Sequence, residues 1–300
     1  MFIIKHKKIF LSISAILVVL SIIFFFIFGI KVGIDFKGGA FTEVSYTDTR
    51  PNQEVLSKNL EKLNLGSILI QPTGENNYII KSRDLSEIEH SLILKTLSFD
   101  GQESLTEANF NSIGPSVGRE LTRKAIFAVI LVSLAIILFI AFAFRKVSRP
   151  VSSWKYGFIA IVALLHDVII AIGVFILLSN FYGVELDTLF VVAILTILGL
   201  SVSDTIVIFD RIRENLRNIG NMAKINFSEV VGHSLEQSFA RSIATSLSTI
   251  LVLLALFFFG PVTTKYFALM LIAGMFFGTY SSIFLASPLL VLIAEMQDKK

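Results

Sequence analysis

The chain has 300 residues, 54% of them hydrophobic, with a mean hydropathy of +0.76 and a formal net charge of +3. A water-soluble domain of this length cannot bury so much apolar side chain, so a soluble globular protein is excluded and an integral membrane protein is expected. Cysteine is absent, which removes disulfides and thiolate metal sites, and the modest positive charge is read as membrane orientation with no case for nucleic-acid binding.

The first expected element is an apolar helix from Ile9 to Ile30, preceded by Lys5, Lys7 and Lys8. It is longer than the core of a signal peptide and no small-residue cleavage site follows it, so it reads as a retained membrane anchor. Residues 31–124 then turn abruptly to mixed charge. In "GIDFKGG" the residues Gly33, Asp35, Gly38 and Gly39 mark a hinge or entry into this segment. Their spacing is too tight for a dinucleotide-binding fingerprint, and they lead into a strand instead of opening a helix.

"AFTEVSY" alternates strictly, placing Ala40, Thr42, Val44 and Tyr46 on one face of a strand. "NQEVLSKNLEKL" carries Leu56, Leu60 and Leu63 at helical spacing behind Pro51. "SILIQ" and "YIIK" read as two short strands around the turn-rich "PTGENN". "DLSEIEHSLILK" reads as a helix with Asp84 and Glu87 as its capping pair, Leu85, Ile88 and Leu92 as its apolar stripe, and His90 on its surface. A last strand is expected between Leu105 and Ile113. The order β-α-β-β-α-β is the split βαβ, ferredoxin-like arrangement, which implies no function by itself.

Further spans are expected at Ala125 to Phe144, Gly157 to Leu178, Leu189 to Ile208, Ser242 to Phe259 and Tyr266 to Ile293. The fold class is therefore a bundle of six transmembrane helices with a ferredoxin-like α+β domain inserted between the first and second. Three regions result: residues 1–30, 31–124 and 125–300. Arg145, Lys146, Arg149, Lys155, Arg211, Arg213, Arg217, Lys224, Lys299 and Lys300 fall on the same side as Lys5, Lys7 and Lys8. The positive-inside rule then puts both termini in the cytoplasm and residues 31–124 outside it.

Asp204, in the fourth span, costs roughly 2.5–3.5 kcal/mol to insert at the centre of a membrane helix, so it is expected to face the bundle interior and carry function. Counting helix rise from the cytoplasmic boundary puts Arg241 of the fifth span near its depth, and His166 and Asp167 of the third span deeper. These residues form a ladder of titratable groups suited to proton relay. The competing readings are a permanent Asp204–Arg241 ion pair, and an inert hydrogen-bonding role for His166 and Asp167. Asp210, Arg211, Arg213 and Glu214 read as interfacial charges in local pairs, and Asp187 as exposed. Gly199 and Ser203, and Gly274 and Gly278 continued by Ser282, are small-residue stripes for close helix packing, either within the chain or against a partner. Ser201, Thr205, Thr245, Ser248 and Thr249 are candidates for hydrogen bonds across the bundle.

"GIDFKGG", "HD", "SDTIVIFDRIREN", "ARSIATSLST" and "GTYSSIFLASP", in this order over essentially the whole chain, resemble the SecF family, the smaller membrane subunits of the SecDF protein-translocation accessory complex. The resemblance implies distant kinship with RND transporters. It implies a role in which SecD and SecF use the proton-motive force to assist export through the Sec channel, with movement of extracytoplasmic domains. It also places the family's intramembrane acidic and basic residues at Asp204 and Arg241. The partners implied are a separate SecD, the Sec translocation channel with its accessory subunits, unfolded preproteins and the lipid bilayer of the bacterial inner membrane. Protons are the coupling ion and no cofactor is implied. The chain departs from the family pattern at Lys37, Leu200 and Ser203.

Two other functions compete: a passive scaffold holding SecD to the channel, and a subunit of a small-molecule exporter. One small insert argues against the exporter. An enzyme is not expected, because no nucleophile with its base, metal-binding spacing or phosphate loop is present.

Overall fold

A computed structural model describes residues 2–143, 152–219 and 226–298. Phe144, Arg145, Lys146, Arg149, Lys224, Lys299 and Lys300, which entered the reading of spans and orientation, lie outside the described residues. The chain divides into two compact units, Met1–Lys31 with Phe127–Lys300, and Val32–Ile126.

The first unit is helical. A short α1 (Phe2–Lys5) precedes α2 (Lys7–Phe28), and after α6 (Pro115–Ala143), whose start lies in the second unit, come, in chain order, α7 (Ser153–Tyr182), α8 (Thr188–Ile219), α9 (Phe227–Phe259) and α10 (Val262–Ser281). A π-helical turn, Ser282–Ala286, joins α10 to α11 (Ser287–Asp298). Among the described residues, six helical stretches are long and apolar enough to cross a membrane: Lys7–Phe28, Pro115–Ala143, Trp154–Tyr182, Thr188–Ile219, Phe227–Phe259 and Thr264–Gln297. These coincide with the spans expected from hydropathy, except that the first helix ends at Phe28, ahead of Gly29 and Ile30, and Phe144 lies outside the described residues. The helices nonetheless extend further at their ends, because charged segments such as Asp210 to Glu214 continue α8 with Arg211–Glu214 and Arg213–Asp210 pairs at 2.9 Å. Asp187 is not simply exposed: its carboxylate accepts from the Phe190 N–H (2.8 Å) at the start of α8.

The core of this unit lies among α7, α8 and the run from α10 through the π turn into α11, whose most apolar windows are 50%, 44% and 61% buried, against 11% for α2 and 6% for α6. Helices in lipid gain little from burying apolar surface against each other, so close approach of small residues decides the packing. A side chain at Gly274 would meet Ile197 Cγ1 at 2.2 Å, and one at Gly278 would touch Ser201 Cα at 3.5 Å. The Gly274–Gly278 stripe is therefore the seat of α10 on α8. Gly173 on α7 similarly admits Ser21 of α2. Gly199 and Ser203 lie on the open side of α8, opposite Ile197 and Ser201, and among the described residues nothing lies within 4 Å of a Cβ built at Gly199.

The second unit holds an antiparallel sheet of four strands, β1 (Gly39–Tyr46), β2 (Leu69–Thr73), β3 (Asn77–Ser82) and β4 (Leu105–Ile113), in the order β2-β3-β1-β4. With α4 (Gln53–Glu61) and α5 (Glu87–Leu97) this is the ferredoxin-like topology. Ala40, Thr42, Val44 and Tyr46 are buried along β1 as the alternation requires, and Leu56 and Leu60 of α4 are fully enclosed against them.

Three details of α5 differ from expectation. Its capping box is formed by Ser86 and Glu89, because Ser86 is the residue with extended backbone at the entry, and its hydroxyl accepts from the Glu89 N–H while its own N–H donates to Glu89 Oε2. The buried stripe is Ile93 and Leu97, while Ile88 is 75% exposed and Leu92 turns outward with it. His90 is not a free surface residue: Nε2 lies 2.8 Å from Glu107 Oε1 on β4, and its ring stacks on Phe110.

"GIDFKGG" contains a short helix, α3 (Ile34–Lys37), followed by Gly38 at φ 81° and Gly39 at φ 143°. A side chain at Gly38 would meet Pro115 Cα at 2.9 Å, and one at Gly118 would meet Phe36 O and Gly38 N at 2.9 Å. These glycines let the domain entry and the start of α6 touch backbone to backbone.

Candidate functional site

Asp167 is fully buried on α7. Its carboxylate accepts from His166 Nδ1 (2.8 Å), from Ser201 Oγ of α8 (2.5 Å) and from Ser281 Oγ of α10 (2.7 Å). With Nδ1 donating, Nε2 of a neutral imidazole is left as an acceptor. That atom is buried and has no hydrogen-bond partner among the described residues, and the ring stacks over Tyr280 at 6.4 Å.

Asp204 stands three residues beyond Ser201 on α8, about 4.5 Å along the helix axis. It is half-buried, and accepts from Ser242 Oγ of α9 and Ser282 Oγ of the π turn, both at 2.6 Å. Consecutive serines, Ser281 and Ser282, thus hold the two carboxylates from one end of α10. The local sequence explains the turn. Pro288 has no N–H to continue the helix and its ring crowds the preceding turn, so the helix widens by one residue ahead of it. Ser287 Oγ donates to Ser282 O (3.1 Å), occupying a carbonyl at the widened turn.

Arg241 does not pair with Asp204. Its side chain is exposed, and among the described residues the partners of Asp204 are Ser242 and Ser282. The expected agreement in depth is met by Ser242, the residue next to it. Of the other hydroxyls named from the sequence, Ser201 reaches across the bundle. Thr205 Oγ1 is buried without a partner among the described residues, and Ser248 and Thr249 donate back to Thr245 O within α9. Ser282, expected to pack as a small residue, is instead a donor to Asp204.

Ser242 and Ser281 were not among the residues expected at the site. A signal for Ser242 is present: Ser234, Ser238, Ser242 and Ser246 recur every fourth residue on α9 and are all buried. Ser246 bonds Thr279 of α10 on the same face. Pro288 is the corresponding signal for the π turn.

Chemically, hydroxyl donors stabilise a carboxylate without cancelling its charge, whereas an arginine would neutralise it. The two serines tie the Asp204 carboxylate to α9 and to the π turn. Among the described residues no group of three or more His, Asp or Glu is placed to hold a metal ion.

The protein-family profile for "Protein export membrane protein SecD/SecF, C-terminal" matches residues 93–296. The protein translocase subunit SecF of Thermobaculum terrenum is 41% identical over 305 residues, an alignment covering 96% of this chain and 92% of that protein. The SecDF of Bacillus subtilis is 31% identical over 94% of this chain, which spans 37% of that longer protein. Among solved structures, the crystal structure of SecDF from Thermus thermophilus, described as a translocon-associated membrane protein, superposes with a TM-score of 0.81 at 30% identity. That match covers 98% of this chain and 38% of the SecDF chain.

Proposed function

The chain belongs to the SecD/SecF family of protein export membrane proteins, in its SecF branch, and from that premise we propose that it works with a SecD-type subunit to draw preproteins through the Sec channel at the expense of the proton-motive force. The observation that carries this reading is Asp204, a carboxylate inside a membrane helix whose partners among the described residues are neutral hydroxyls. A charge kept in hydrocarbon without a cation partner is costly, and proton-coupled transporters use such groups as their loading sites.

Asp204 takes up a proton from the outer side and gives it up toward the cytoplasm, and the change of charge alters how α8, α9 and the π turn hold together. Asp167 and His166, farther from the cytoplasmic boundary than Asp204, form the enclosed part of the same polar path. Residues 31–124 lie outside the cytoplasm and move in response, while both termini stay inside, as the basic residues favour. Arg241 and the open Gly199–Ser203 face belong to the surface that a SecD-type subunit covers, since an exposed guanidinium at this level needs a partner.

The test is Asp204→Asn in inverted vesicles that contain the SecD-type partner and the channel, with assembly verified. The stimulation of preprotein translocation by an imposed proton gradient should vanish. Full stimulation in an assembled complex would instead favour the scaffold, for which the open small-residue face of α8 is the supporting observation.

A further inference from the structure

Two hydroxyls at the end of α10 each face a choice. A serine has one proton to donate. Ser282 Oγ lies 2.6 Å from Asp204 Oδ2 and 3.0 Å from Thr279 O, and Ser281 Oγ lies 2.7 Å from Asp167 Oδ2 and 3.0 Å from Gly278 O. The alternatives are the same for both: a carboxylate on another helix, or the carbonyl three residues back on their own. Ser201 and Ser242, the remaining hydroxyl donors, have the carboxylates as their hydroxyl acceptors. Each carboxylate is therefore held by one committed serine and one that has an alternative.

Taking Asp204 as the coupling group, we propose that Ser281 and Ser282 are positioning residues that pass its protonation state to the Asp167 site through the π turn. While Asp204 is ionised, the charge-assisted bond is roughly twice as strong as a neutral one and holds the Ser282 proton. When Asp204 gains a proton it becomes a donor itself, and that proton needs an acceptor. Ser282 keeps its own hydrogen, turns it to Thr279 O, and accepts from Asp204 with its oxygen. Nothing is transferred between them.

The backbone is placed to respond. The Ser282 N–H is shared between Gly278 O and Thr279 O, and Ser282 O accepts from Ser287 Oγ. Residue 282 thus meets the carboxylate, the end of α10 and the start of α11 at one point. A π turn inserted in an α-helix is a place where the register can change, and such turns concentrate at functional sites. Any adjustment there moves Ser281, the next residue back, and with it the hold on Asp167 Oδ2. The titratable or charged groups around the pair are His166 on α7, with Tyr280 of α10 stacked on its ring, and Arg241 beside Ser242 on α9. On the α2 side Tyr280 donates its hydroxyl to Phe10 O (3.2 Å).

The experiment uses Ser281→Ala, Ser282→Ala and the double variant, each assembled with the SecD-type subunit and the channel, beside Asp204→Asn and Asp167→Asn. Loss of one hydrogen bond to a charged group should cut the gradient-driven stimulation about tenfold in either single serine variant. Residues that act as one device are non-additive, so the double variant should lose no more than Ser282→Ala alone; independent roles would multiply to about a hundredfold. Infrared difference spectra on the same complexes provide a readout that a merely structural role does not move. The carboxyl signal that disappears in Asp167→Asn should shift in Ser282→Ala, although Ser282 makes no bond to Asp167. Full stimulation in the serine variants, multiplied losses, or an unmoved Asp167 signal would each overturn the proposal. If Asp204→Asn keeps its stimulation, the coupling role of Asp204 has failed; if only the serine results fail, that role stands and the relay does not.

Discussion

The two units of this chain are built by opposite rules. The second unit encloses apolar side chains, with Val44, Leu56, Leu60, Ile93 and Leu97 at 0% exposure, and leaves its charges at the surface. The helical unit encloses Asp167, Ser281, Ser282 and Ser287 just as completely and turns Phe26 (80%) and Phe259 (91%) outward. In water, burying a Leu or Ile contributes about 1.5–3 kcal/mol and the domain closes around such residues. In lipid the surroundings are as apolar as leucine, so only close packing and hydrogen bonds distinguish one helix arrangement from another. The polar groups that specify the bundle are also the ones the proposed coupling draws on.

The strongest way to break this contrast is Asp167→Ala. It leaves His166 Nδ1 and Ser201 as buried donors without their acceptor, while Ser281 keeps Gly278 O as its alternative. At about 1–3 kcal/mol for each of these two orphaned groups, a loss of roughly 2–6 kcal/mol is expected in thermal unfolding of the assembled protein in detergent. In the second unit the matching test is Ile93→Ala, where a cavity in an apolar core should cost about 2–5 kcal/mol. Ile88→Ala, on the outer side of the same helix, should stay within about 0.5 kcal/mol. Gly274→Val drives a side chain into Ile197 and should cost about 1–3 kcal/mol, while a Cβ at Gly199 meets nothing among the described residues, so Gly199→Val should cost less unless a partner covers that face.

The smallest effect is electrostatic and belongs to the second unit. The Arg83 hydrogen bond, helped by Ser86, lowers the Glu89 carboxyl from 4.5 to about 2. A lowered folded value contributes stability above about 4.5 that is lost as the pH falls through about 2. Amide exchange in the first turn of α5, corrected for its intrinsic rate, should therefore quicken over that acid range. Glu89→Gln should remove the dependence.

Much of this was legible in the sequence. Hydropathy located the spans, alternation located β1, and the cost of a carboxylate in a membrane helix singled out Asp204. Azimuth was not legible. Helix rise gives depth alone, and Arg241 and Ser242 share a depth while pointing about 100° apart, so the count could not tell the exposed guanidinium from the hydroxyl that bonds Asp204. The same ambiguity governed α5, where Ile88–Leu92 and Ile93–Leu97 are both apolar pairs at four-residue spacing and the sheet selects the second. The Gly199–Ser203 and Gly274–Gly278 stripes likewise look alike in sequence, and only the position of Ile197 and Ser201 separates the packed one from the open one.

The central claim is that Asp204 changes protonation when a proton gradient is applied. The direct measurement is infrared difference spectroscopy of the complete complex in sealed vesicles as the outer face is acidified. The account requires a protonated-carboxyl signal that appears with the gradient, collapses with it, and is missing in Asp204→Asn. A gradient-dependent carboxyl signal that survives unchanged in Asp204→Asn, or no such signal in an active wild-type complex, would contradict it.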